Sequence, residues 1–101
     1  MAFGFSGYSA IMVLMKVLVV YKPDSEQARA VTDWLRDFHR HTGKTLEEID
    51  PDTRSGASLC RTYDIVEYPT FLAIDTTGAM QMMWRGTMLP TISEISYYIQ
   101  D

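Results

Sequence analysis

Few residues in this chain combine a reactive type with a useful spacing. Cys60 is the single cysteine among 101 residues. One thiol excludes an internal disulfide, a disulfide framework and a cysteine-built zinc site. It agrees with a reducing compartment, so a cytoplasmic location is the expectation. Cys60 stands between Leu59 and Arg61, with Tyr63 three residues on. On a helix that pattern turns the thiol inward, where cysteine behaves as a small hydrophobe. Arg61 is poorly placed to lower its pKa, because adjacent helix residues point in different directions. His39 and His41 diverge for the same reason and cannot share a metal. Asp37 and His41 share a helical face, which reads as solvated surface. Neither a metal nor a cofactor is expected.

Composition narrows the class further. With 47% hydrophobic and 22% charged residues, the chain suits one domain around one core. The net charge is −4, and the nine lysines and arginines form no run. Affinity for a polyanion needs clustered cations, so nucleic acid is not an expected partner. The apolar stretch Ala10 to Tyr21 is interrupted by Lys16 and is too short to cross a bilayer. No basic residue precedes it, so it makes a poor signal peptide, and no membrane role is expected. Residues 1–11 read as an N-terminal tail, disordered or left from expression. An extra edge strand is the other reading, and Met12 and Met15 are alternative natural starts. Residues 12–101 form a single domain.

The elements that must position any site follow from periodicity. Val13 to Tyr21 is a β-branched run, predicting a strand buried on both faces that ends at Lys22-Pro23. Asp24 with Gln27 forms a capping-box pattern opening a helix. Its apolar stripe is Ala28, Val31, Leu35 and Phe38, widened by Trp34, and Gly43 stops it. Thr45 to Asp50 predicts a short strand near an edge, and Asp50-Pro51-Asp52-Thr53 a turn. A short helix covers about Ser55 to Tyr63. Thr70 to Asp75 is a strand, Thr76-Thr77-Gly78 a hairpin turn, and Ala79 to Arg85 the antiparallel return, broken by Gly86. On that return, Met80, Met82 and Trp84 are expected on one face and Met83 on the other. The face reads as core, with an adaptable partner surface as the sharper alternative. Thr91 with Glu94 caps a last helix whose stripe is Ile92, Ile95 and Ile99. The order is β-α-β-α-β-β-α, which predicts an α/β fold with a central mixed sheet and helices on both faces.

Within that order, Tyr63-Asp64-Ile65-Val66-Glu67-Tyr68-Pro69-Thr70-Phe71-Leu72 resembles the thioredoxin family, glutaredoxins included. The family pattern is Tyr-Gly-Ile, three variable residues, then Pro-Thr and an apolar strand. Here Tyr63, Ile65, Pro69 and Thr70 match, while Asp64 replaces the usual glycine. The hairpin at Asp75-Thr76-Thr77-Gly78 and the closing Arg85-Gly86 are also similar. The resemblance spans roughly Val13 to Asp101. It implies a thioredoxin-like fold and a cis Tyr68-Pro69 bond, which only X-Pro peptides adopt at modest cost.

The resemblance also implies a Cys-x-x-Cys at the start of the first helix, where free N–H groups and the helix dipole stabilise a thiolate. This chain reads Lys22-Pro23-Asp24-Ser25-Glu26-Gln27-Ala28 at that point. Allowing one deletion, Ser25 and Ala28 occupy the cysteine positions. The next register gives Glu26 and Arg29. Neither pair can cycle as a dithiol, so that chemistry is excluded within one chain. Ser25 has no evident base and reads as a capping residue. An anion site helped by Lys22 is opposed by Asp24 and Glu26.

The expectation is a redox-inactive binding or structural module. Its groove would be formed by Lys22, Asp24, Ser25, Glu26, Tyr68, Pro69, Thr70 and Gly86. In the family the backbone before the cis-proline pairs with extended peptides, so a protein or extended peptide is the expected partner. The alternative is a thiol oxidoreductase using Cys60 alone or with a partner's cysteine. A third reading is oligomerisation through the tail.

Overall fold

The computed structural model describes residues 15–99. The expectations for residues 1–11, for Met12 and for the first residues of the leading strand lie outside them. Strand β1 (Met15–Val20) is followed by α1 (Ala28–Thr42), β2 (Glu47–Ile49), α2 (Arg54–Tyr63), β3 (Thr70–Asp75), β4 (Met80–Arg85) and α3 (Ile92–Tyr98). The strands form one mixed sheet in the order β2-β1-β3-β4. β1 runs parallel to β2 and antiparallel to β3, and β3 runs antiparallel to β4. The α/β order predicted from periodicity is therefore the observed one.

β1 and β3 occupy the centre, which is why both are near-continuous apolar runs. Alternate side chains feed two cores. Val17, Val19, Tyr21, Phe71 and Ala73 pack with Ala28, Val31 and Phe38 of α1 and Ile95 of α3. Leu18, Val20, Leu72 and Ile74 pack on the other face with Cys60 of α2 and with Ile65. Helices thus cover both faces. Trp34 links the first layer: it stacks on Phe38 at 5.1 Å, meets Phe71 edge-on at 4.8 Å, and its indole N–H donates to the Pro90 carbonyl at 2.7 Å.

The helix ends show local sequence at work. Gly43 closes α1 in the left-handed region (φ 74°), its N–H reaching His39. Thr53 caps α2 by accepting from the Gly56 N–H at 3.0 Å. Asp64 ends α2 at φ 57°, a conformation aspartate tolerates better than most residues. That accounts for the glycine usual at this place in the resembling pattern. Thr91 and Glu94 form the reciprocal box predicted for α3: the Thr91 N–H donates to Glu94 Oε1 at 2.8 Å, and the Glu94 N–H to Thr91 Oγ1 at 3.0 Å.

Two expectations are corrected. α1 does not begin at Asp24. It begins at Ala28, with Gln27 as the preceding residue and no side-chain cap. The Ser25 N–H and hydroxyl both donate back to the Lys22 carbonyl, at 3.0 and 2.7 Å, and Ala28 N–H donates to Ser25. Residues 22–27 therefore wind as successive turns, and Ser25 does not cap the helix. Secondly, Met80 does not share a face with Met82 and Trp84. A register shift between Ala73 and Ile74 leaves Gln81 without an opposite residue and sets Met80 against Ile74. Directly opposed residues share a face, so Met80 joins the α2 side. Both Met80 and Met82 are exposed, because β4 is an edge strand.

Candidate functional site

Strand register brings the candidate loops together. Val20 pairs with Ile49 and with Thr70, and Thr70 pairs with Arg85. The ends of β1, β2 and β4 and the start of β3 are therefore side by side. Residues 22–27, 50–53, 66–69 and 86–88 must leave the sheet at the same end. The Gly86 N–H donates to the Pro69 carbonyl at 2.8 Å, and Tyr21 N–H to Ile49 at 3.1 Å, tightening this convergence. Gly86 has a φ of 84°, which lets the chain turn away immediately after β4.

At the centre lies Tyr68-Pro69-Thr70. The Tyr68-Pro69 bond is cis. Thr70 is fully buried, and its hydroxyl donates to the Glu67 carbonyl at 2.7 Å, fixing the loop that carries Tyr68. The Tyr68 N–H and C=O bond to no other backbone group among the described residues. The Lys22 ammonium sits 5.5 Å from the Tyr68 ring centroid and 3.8 Å from Asp52 Oδ1. Val66 and Met88 flank the loop with side chains that are 75% and 87% exposed. Lys22, Ser25, Tyr68, Pro69, Thr70 and Gly86 thus converge. Asp24 and Glu26 stand exposed on the same 22–27 loop.

Ala28 is buried as the first residue of α1, and Ser25 is committed to the Lys22 carbonyl. No histidine approaches them: His39 and His41 lie in the last turn of α1, at the other end of that helix. His41 Nδ1 contacts the Asp37 carbonyl at 2.8 Å, while the Asp37 carboxylate pairs with Arg40. Among the described residues no group of three or more histidine, cysteine or acidic side chains could hold a metal. None of their helices is long and apolar enough to cross a membrane.

Cys60 lies beneath the groove, 8% exposed in the core under α2. Burial pushes its thiol pKa up, opposed by a hydrogen bond from Tyr68. The same contact, after burial, raises Tyr68, and Asp52 adds to it. A raised pKa means less thiolate, the attacking form. The Cys60–Tyr68 contact and the approach of Asp52 to Tyr68 carried no sequence signal. They depend on how α2 and the turn before it dock on the sheet.

No protein-family model matches the chain, and no curated protein is similar to it in sequence. Solved structures do resemble it. A malaria-parasite thioredoxin-2 has a TM-score of 0.65 at 16% identity, over 84% of this chain and 81% of that one. The reduced thioredoxin pre-protein of Schistosoma mansoni has a TM-score of 0.64 at 17% identity, over 90% and 85%. The exposed lipoprotein thioredoxin Etrx1 of Streptococcus pneumoniae has a TM-score of 0.60 at 14% identity, over 88% and 85%. The chain therefore has a thioredoxin-like fold. At these identities the likeness establishes the fold alone.

Proposed function

We propose that this chain is a redox-inactive thioredoxin-fold module that binds an extended segment of another protein. The observation that carries the reading is the Tyr68 backbone, whose N–H and C=O lack backbone partners where four loops converge. An extended chain laid beside Tyr68 would take both groups, as strand addition does at a sheet edge. That mode needs backbone rather than thiols, so it is compatible with one buried cysteine. Thr70 would act as a positioning residue, because its hydroxyl holds the Glu67 carbonyl.

Titrating extended peptides while recording backbone amide shifts tests this. Binding should perturb Tyr68, Thr70 and Gly86 before residues of the β3–β4 turn. Thr70→Val should lower stability by about 1 kcal/mol through loss of one loop-fixing hydrogen bond, and should weaken binding measured well below the melting temperature, where the variant stays folded. If no peptide perturbs these amides, the groove reading fails. The oxidoreductase alternative separates from it by alkylation of the native protein. Labelling of Cys60 only on unfolding supports the binding module, and fast labelling at neutral pH supports the thiol enzyme.

A further inference from the structure

The described carboxylates that lack partners gather mainly at the groove. Most described carboxylates are engaged elsewhere. Asp33, Asp37, Glu47 and Asp52 are in ion pairs. Glu48 accepts from Tyr21, Asp50 from the Asp52 N–H, Asp75 from its own turn, and Glu94 from the α3 cap. The described carboxylates left with neither an ion pair nor a hydrogen bond are Asp24, Glu26, Asp64 and Glu67. Three of these, Asp24, Glu26 and Glu67, lie on the two loops that meet beside Tyr68. Glu67 is the residue before it, and its Oε2 lies 3.4 Å from the point a side chain on Gly86 would occupy. The carboxylate therefore lies beside the β4 exit.

The cations at this end form no ion pair with them. Lys22 is drawn to Asp52 and the Tyr68 ring. Arg85 turns back along β4, its Nε 3.1 Å from the Met83 sulfur. Arg29 sits on α1 beyond the loop, and Arg54 stands exposed at the start of α2, after the 50–53 turn. The Tyr68 face already carries one ammonium, so it accepts cations. Exposed Val66 and Met88 add apolar surface on the flanking loops.

We infer that the occupant of the groove is a basic extended segment, with lysine or arginine alternating with apolar residues. The inference rests on the groove reading above and specifies its ligand. Alternation matters because an extended chain presents successive side chains to opposite sides. Apolar residues meet Val66 and Met88, and the cations meet Glu67, Asp24 and Glu26. Such complementarity acts mainly on encounter rate and partner choice.

The test uses the full chain and extended peptides matched in length and apolar content, differing only in Lys/Arg against Glu/Asp. At low salt the basic peptide should bind about tenfold more tightly than the acidic one, and the advantage should shrink at molar salt as screening shortens. The triple variant Asp24→Asn, Glu26→Gln, Glu67→Gln removes only unengaged carboxylates and should keep the amide spectrum of the fold. It should abolish most of the difference between the peptides. Equal binding of both peptides, or preference for the acidic one, overturns the basic occupant while the groove reading stands. Absence of shifts at Tyr68, Thr70 and Gly86 with every peptide overturns both.

Discussion

The starts of α1 and α3 carry similar sequence signals and end differently. Asp24 with Gln27, and Thr91 with Glu94, both read as capping boxes. At α3 both reciprocal bonds form. At α1 neither does, and the helix waits until Ala28. The difference lies in what each start is attached to. Thr91 takes the extended capping conformation (φ −79°, ψ 159°), and the hydrogen bond that holds the chain before it, Trp34 on the Pro90 carbonyl, leaves the Thr91 N–H and hydroxyl open to Glu94. Residues 22–27 leave the central strand next to three other loops, and Lys22 is held by Tyr68 and Asp52. There the backbone closes turns on Lys22 before any helix can start. A local rule fails where tertiary contacts crowd, and that is also the candidate site.

The third helix start sharpens this and gives the largest expected effect. Thr53 caps α2 in the ordinary way, but a Cβ on Gly56 would lie 1.9 Å from the Asp50 carbonyl oxygen. Gly56→Ala should destabilise the fold by about 3 kcal/mol or more, read by denaturant unfolding. A neutral result would mean that the α2 start is not pressed against the Asp50 turn.

Capping itself gives the next effect. Thr91→Ala should cost about 1 kcal/mol, whereas Asp24→Ala should change stability by less than about 0.5 kcal/mol. Equal losses at the two positions would erase the contrast between the helix starts.

The smallest effect is in acid. The Thr91 backbone N–H, then its hydroxyl, hold the Glu94 carboxyl below the ordinary glutamate range. The unfolded chain therefore takes up this proton first. The contribution is present above the ordinary glutamate value of 4.5 and is lost as pH falls through the lower folded value. Glu94→Gln keeps an acceptor at the box but removes the titration. Its stability should fall less steeply than wild type below pH 4.5, measured by thermal melts. Tyr21 behaves oppositely at the other extreme. Burial, then its 2.7 Å bond to Glu48, raises it to about 12, so its contribution is lost as pH climbs from 10 through 12.

Much of the fold was legible because period and punctuation are local. β3 lies at Thr70–Asp75 as its apolar run indicates, and Gly43, Gly78 and Gly86 take the positive φ that their turns need. The faces of β4 were misread at Met80, since alternation cannot reveal an unopposed residue set by the partner strand. Of the site, Pro69, Thr70 and the loop ranges were legible through the thioredoxin-like pattern. Asp52 was not, because no periodicity links it to Tyr68.

The sequence by itself determined that a single thiol cannot form an internal disulfide and that a β-α-β-α-β-β-α order closes around two apolar layers. Composition and short-range spacing suffice for both. Only the tertiary structure decided that Cys60 lies under Tyr68, that Gly56 admits no side chain, and that the unengaged carboxylates Asp24, Glu26 and Glu67 gather on converging loops. Those facts depend on strand register, which aligns residues far apart in the chain and has no local signature.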